Sequence, residues 1–97
     1  MKQIVIDSEA EIELSDSVSF YERRESGLGL EFERAAREAV QTIQADPERH
    51  PFDNDGTRRL VMERFPSVIH YIDLPNTIWI LAFAHTSRKP GYWRRRF

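Results

Sequence analysis

The run Ile78-Trp79-Ile80-Leu81-Ala82-Phe83-Ala84 constrains this chain more than any other stretch. It is far below the roughly 20 residues needed to cross a bilayer. Its length and its β-branched and aromatic content are those of a buried strand. Simple alternation puts Ile78, Ile80, Ala82 and Ala84 on one face and Trp79, Leu81, Phe83 and His85 on the other. Both sets stay apolar until His85, so this strand is expected to be central and covered on both faces. One cover is to be sought upstream; the other must be the C-terminal tail, a second copy or a partner chain.

Upstream, two helices supply the first cover. Residues 2–6 read as a short opening strand. Ser8 to Glu11 has the form of a capping box, and Ala10, Leu14, Val18 and Tyr21 then fall on one helical face, with Ile12 and Phe20 off it. Gly27 and Gly29 mark a tight link. Leu28, Phe32, Ala35, Ala36, Ala39, Val40 and Ile43 form the stripe of a second helix, with Glu33 and Arg37 as a favourable i,i+4 pair on its back. Pro47 ends that helix near Asp46. Two amphipathic helices with so short a link predict an antiparallel hairpin. Residues 46–56 are loop, with Phe52 expected to anchor it to the core. Strands are predicted over Thr57–Phe65, Val68–Asp73 and Thr77–His85, the last two joined by Leu74-Pro75-Asn76. The fold class is therefore α+β: a short N-terminal strand and an antiparallel helical hairpin packed on a C-terminal antiparallel sheet. At 97 residues one domain, 1–97, is expected.

Charge is divided unevenly. Residues 1–56 carry six Lys/Arg against fourteen Asp/Glu, and residues 57–97 carry eight against two. The tail Arg88-Lys89-Pro90-Gly91-Tyr92-Trp93-Arg94-Arg95-Arg96 interleaves cations with aromatics. Such a segment either meets an anionic partner or pairs with the protein's own acidic helices. Arg58 and Arg64 share one strand face with Leu60 and Met62 between them, on either an open face or the rim of the helix-covered one. His85, where the apolar strand runs out, has the placement of a general acid or base, or of a histidine satisfied by a nearby backbone group. Cysteine is absent, and His50 and His70 have no partners at ligand spacing, so no metal and no cofactor is expected. There is no phosphate loop and no nucleophile elbow. Glu22 and Glu25 read as solvated residues near a helix end. The first residues are too soon charged for a signal peptide, and a cytoplasmic protein without membrane contact is expected.

Taken in order, these residues resemble the RelE/ParE superfamily of type II toxin–antitoxin toxins, in its ParE-like, plasmid-stabilisation branch. The matching pieces are Phe20-Tyr21-Glu22, Gly27-Leu28-Gly29 with Phe32, and Ile43 followed by Asp46-Pro47. They continue with Arg64-Phe65-Pro66 leading into Tyr71, and with Ile80 to His85 followed by Arg88, Pro90, Trp93 and Arg96. The resemblance implies a toxin that inhibits growth unless a cognate antitoxin wraps it, with a homodimer or a toxin–antitoxin hetero-oligomer as possible assemblies. ParE-like members poison DNA gyrase by binding. For this chain that makes Arg88, Lys89, Tyr92, Trp93, Arg94, Arg95 and Arg96 the expected target-binding residues. RelE-like members cleave mRNA on the ribosome, which would make His85 the acid or base, Arg64 and Arg88 the phosphate clamp, and Tyr92 a proton donor or stacking ring. RelE-type sites carry more Lys and Arg on the sheet than Arg58, Arg59 and Arg64, so gyrase inhibition is the leading expectation and an mRNA endoribonuclease the alternative. A third expectation is an inactive relative acting as a protein-binding module.

Overall fold

The computed structural model describes residues 1–97. Its elements are β1 (Gln3–Ile6), α1 (Ser8–Arg24), α2 (Leu28–Ala45), β2 (Arg58–Val61), β3 (Ser67–Asp73), β4 (Thr77–His85) and a terminal 3₁₀ helix (Tyr92–Arg96). The four strands lie in the order β1-β4-β3-β2. β4 is central, as its apolar run requires. β1 joins it in parallel, while β2, β3 and β4 are antiparallel. No helix is long and apolar enough to cross a membrane.

Both helices bury the stripes read from their periodicity. Ala10, Phe32, Ala36 and Ile43 are fully buried against Ile69, Tyr71, Ile78 and Ile80, with Leu14, Val18, Tyr21, Leu28, Ala35, Ala39 and Val40 packed around them. Ile12 and Phe20, off the stripe, are exposed. The start of α1 differs from the expected capping box. Asp7 is the cap, its carboxylate accepting the Glu9 amide at 3.0 Å, and Ser8 lies inside the first turn. The hairpin link turns on Gly27, whose φ of 89° suits glycine. Gly29 lets the helices touch, since a Cβ there would stand 2.5 Å from the Val18 carbonyl. Glu22, expected to be merely solvated, accepts the amides of Gly27 and Gly29 at 3.0–3.1 Å. It thereby places a carboxylate at the N-terminus of α2, where free amides and the helix dipole favour an anion.

β2 is shorter than the predicted strand. It ends at Val61, although Met62 still donates to the Ser67 carbonyl at 2.9 Å. Phe52 does not anchor its loop in the core. It is 62% exposed and lies under the Arg58 guanidinium at 4.9 Å. The loop is held instead by the Tyr71 hydroxyl, which donates to the Pro47 carbonyl at 2.7 Å.

The central strand is not a simple alternation. Tyr71 faces Ile80 and His70 faces Ala82, so Leu81 is an extra residue, a β-bulge. The bulge moves Ala82 and Ala84 to the outer face and returns Phe83 to the helix side. Accordingly, Leu81 and Ala82 both pack on Trp93, while Phe83 joins the helix-side core. The bulge also lies where β1 has run out, the last bond on that side being from the Asp7 amide to the Ile80 carbonyl. The strand edge beyond it presents the Leu81 carbonyl and the Phe83 amide. Side chains satisfy both. Glu13 of α1 accepts the Phe83 amide at 3.2 Å, and Arg96 donates to the Leu81 carbonyl at 2.7 Å. The two charged groups meet each other at 2.9 Å. With Arg96 only 5% and Glu13 only 13% exposed, the pair is largely desolvated. Removing one partner of such a pair costs about 3–5 kcal/mol, because the other charge stays buried. Glu13→Ala should therefore destabilise the fold by about 3 kcal/mol or more, read as a lower urea midpoint. An exposed exchange such as Glu11→Ala should move it by less than about 0.5 kcal/mol.

Candidate functional site

Of the two fates open to the C-terminal tail, an anionic partner or the protein's own acidic helices, the structure shows the second. The tail folds back over the outer face of the sheet and supplies the second cover of β4. Gly91, at φ 80°, turns the chain into the 3₁₀ helix. Trp93 is buried on Leu81 and Ala82, and its indole stacks on the His70 ring with centroids 3.5 Å apart and planes 18° apart. Tyr92 donates its hydroxyl to Glu13. Arg96 is closed in by Glu13 and, at 3.1 Å, by Glu9. Arg94 pairs with Asp55 at 2.6 Å, and Arg95 lies 3.6 Å from Glu9. The basic tail and the acidic half of the chain thus pair largely with each other. Trp93 and Arg96 are structural, and Tyr92 is half-committed. Arg88 and Lys89, together with the 74% exposed Arg95, are the tail cations that face solvent most freely. Arg88 lies over the Tyr92 ring at 4.0 Å, a cation–π contact that holds its charge outward.

The four residues proposed for RNA cleavage do not line one cleft. Post-bulge parity turns His85 to the helix side, where it lines an open cleft with Asp16, Ser17, Phe20, Tyr21 and Ser87. The Ser87 amide donates to His85 Nδ1 at 3.0 Å, and the Ser87 hydroxyl meets the same nitrogen at 2.7 Å. The Ser87 amide thus makes Nδ1 an acceptor, the tautomer whose ring proton is on Nε2. Arg64 lines a different groove, between α2 and β2, and pairs with Glu31 at 2.8 Å. That settles the strand face of Arg58 and Arg64. Leu60 and Met62 join the helix-side core, and the two arginines sit at its rim, Arg58 donating to the carbonyls of Glu48 and His50. Burial, and then the hydrogen bond to Glu13, push the Tyr92 phenol well above its usual range, which makes it a poor proton donor.

Three residues that sequence reasoning passed over organise this face. Glu13 lies at the border of the α1 stripe, one position before Leu14, and that placement is the only mark it bears in the sequence. Asp55 holds Arg94; although burial pushes its carboxyl up, hydrogen bonds from Arg94 and Thr57 bring it down to about 2. His70 is buried under Trp93 with Nδ1 unpartnered, as is Trp93 Nε1. No group of three or more His, Asp or Glu stands close enough to hold a metal ion.

This architecture matches a chain from a chromosomal ParDE TA system of P. aeruginosa, with a TM-score of 0.75 over 88% of this chain and 96% of that one. The fold is a ParDE-system fold. Sequence identity is 21%, so the likeness lies in the fold rather than in matched residues. No family model matches the chain, and no curated protein does. The ParDE-type fold here carries its tail docked, and His70 ties that docking to pH. Burial, with Arg59 nearby, lowers the His70 imidazole to about 4. A histidine depressed in the folded state favours folding fully above its unfolded value, near 6.5, and loses that contribution as pH falls toward 4. His50, lowered mainly by burial, acts in the same direction. Melting temperature should therefore fall between pH 6.5 and 4, and His70→Gln should flatten that fall in a pH series of thermal melts.

Proposed function

We propose that this chain is a ParE-like toxin of a toxin–antitoxin module, acting in the cytoplasm by binding DNA gyrase and held inactive by a cognate antitoxin. The observation that carries the reading is the fold match to a ParDE TA system chain over 88% of the sequence. The ordered tail supports binding over catalysis. Its tyrosine is hydrogen-bonded to a carboxylate and its buried arginine serves the fold, and Arg23 is the one Lys or Arg side chain that lines the cleft with His85.

The antitoxin would lie along the groove between α2 and β2. β2 is an edge strand whose first half is already bridged by the preceding loop, Phe52 pairing with Arg58 and the Arg59 amide donating to the Pro51 carbonyl at 3.2 Å, and beyond that bridge 61% of Val61 is exposed. Ala35 and Ala39 keep the groove wall low, while Arg34, Arg49, Arg59 and Glu38 line it. An edge strand beside a groove can take an extended segment by strand addition.

The ribonuclease reading keeps one specific observation, the exposed His85 ring with its tautomer set by Ser87. A His85→Ala variant separates the two. Growth arrest by the variant should equal that of the wild type, with no new mRNA ends in either. If the variant loses arrest while its melting temperature is unchanged, the ring is doing chemistry and the binding reading fails.

A further inference from the structure

The cleft at His85 has an exposed aromatic ring beside it. Phe20 of α1 is 44% exposed, and it lines the cleft together with Tyr21 and Phe32, which stack on each other with centroids 5.0 Å apart. The cleft is open and has a volume of about 410 Å³, room for one more ring.

The charges on α1 are placed evenly about Phe20. Asp16 and Arg23 both line the cleft, at i−4 and i+3 from Phe20, which are neighbouring positions on one helix face. Both are exposed, and neither forms an ion pair within the chain. With a rise of about 1.5 Å per residue, Asp16 lies about 6 Å before Phe20 and Arg23 about 4.5 Å after it. A contact between identical copies uses the same patch twice, so each charge must meet its opposite across a twofold axis. An axis at Phe20 that sets a second α1 antiparallel to the first does this. It brings Arg23 of one copy to within about 1.5 Å, measured along the helix, of the level of Asp16 of the other.

The same charges choose the occupant. Arg23 is the one Lys or Arg that lines the cleft and Asp16 the one carboxylate, so the cleft selects neither an anion nor a cation. It suits a surface that carries one charge of each sign about an aromatic ring. The chain's own α1 is such a surface.

We propose that two copies of this chain associate through antiparallel α1 helices, with Phe20 of each seated in the His85 cleft of the other and two Asp16–Arg23 pairs flanking the rings. The contact closes the cleft over His85. It shares no lining residue with the α2–β2 groove, and leaves open the surface assigned above to the antitoxin.

The test is sedimentation equilibrium of the purified full chain from about 10 µM to about 1 mM, with each variant first checked by thermal melting. Wild type should dimerise with a Kd of about 100 µM, the strength of a small contact. Asp16→Arg and Arg23→Asp, made singly, set like charges opposite each other twice per dimer and should weaken association at least tenfold. The double variant restores both pairs in the reverse sense and should return to within about threefold of wild type. An equimolar mixture of the two single variants should do the same by forming a mixed dimer. Phe20→Ser should weaken association at least tenfold, through loss of the central ring. If serine unfolds the chain, the charge variants carry the test alone. A wild type that stays monomeric to about 1 mM overturns the proposal. So does a dimer that the folded single variants leave within twofold, and so does a loss that neither the double variant nor the mixture restores. The assay reads association alone, so its outcome is independent of the toxin reading.

Discussion

Glu13 and Arg96 meet at the one place where the central strand is left without a neighbour. A buried backbone donor and acceptor there would each cost free energy if unpaired. The bulge at Leu81 and the end of β1 at Ile6 create that gap together, and the ion pair fills it. One carboxylate thereby serves the Phe83 amide, the Tyr92 hydroxyl and the Arg96 guanidinium at once. Helix α1, the central strand and the C-terminus, 83 residues apart at the extremes, are joined through a single side chain.

That junction decides what the tail can do. A free basic aromatic tail would be a flexible anion binder. A docked one is a platform. Trp93 on His70 closes the outer face, Arg94 ties the 3₁₀ helix to Asp55, and the charges left outward are few. The face beside the docked tail keeps Val5, Trp79 and Ile72 in register across three strands. The opposite side of the molecule differs in kind. There the helices cover the sheet, and the open features are the α2–β2 groove and the cleft at His85.

Much of this was legible in the residues. The stripes Ala10–Leu14–Val18–Tyr21 and Leu28–Phe32–Ala36–Ile43 are local, and period 3.6 reports them. The length and composition of Ile78–Ala84 gave a central strand covered on both faces. The bulge was not legible, because Leu81 and Ala82 are both apolar and a parity change between them leaves no mark in the pattern. It misplaced Phe83, His85, Ala82 and Ala84. The fate of the tail was also hidden. Pairing of Arg96 with Glu9 and Glu13 is a contact across nearly the whole chain, and charge counts alone allow a partner or the chain itself. Phe52 was assigned to the core by composition, but two prolines and the edge position of β2 hold its loop outside.

The claim that matters most is that a docked platform of this kind stops growth by binding a DNA enzyme. Pulse-labelling of DNA and protein synthesis, just after the chain is induced alone in a bacterial host, tests it most directly. The account predicts that DNA synthesis falls first and a DNA-damage response follows while translation continues. Early loss of protein synthesis with cleaved mRNA would contradict it and would return the chemistry to His85.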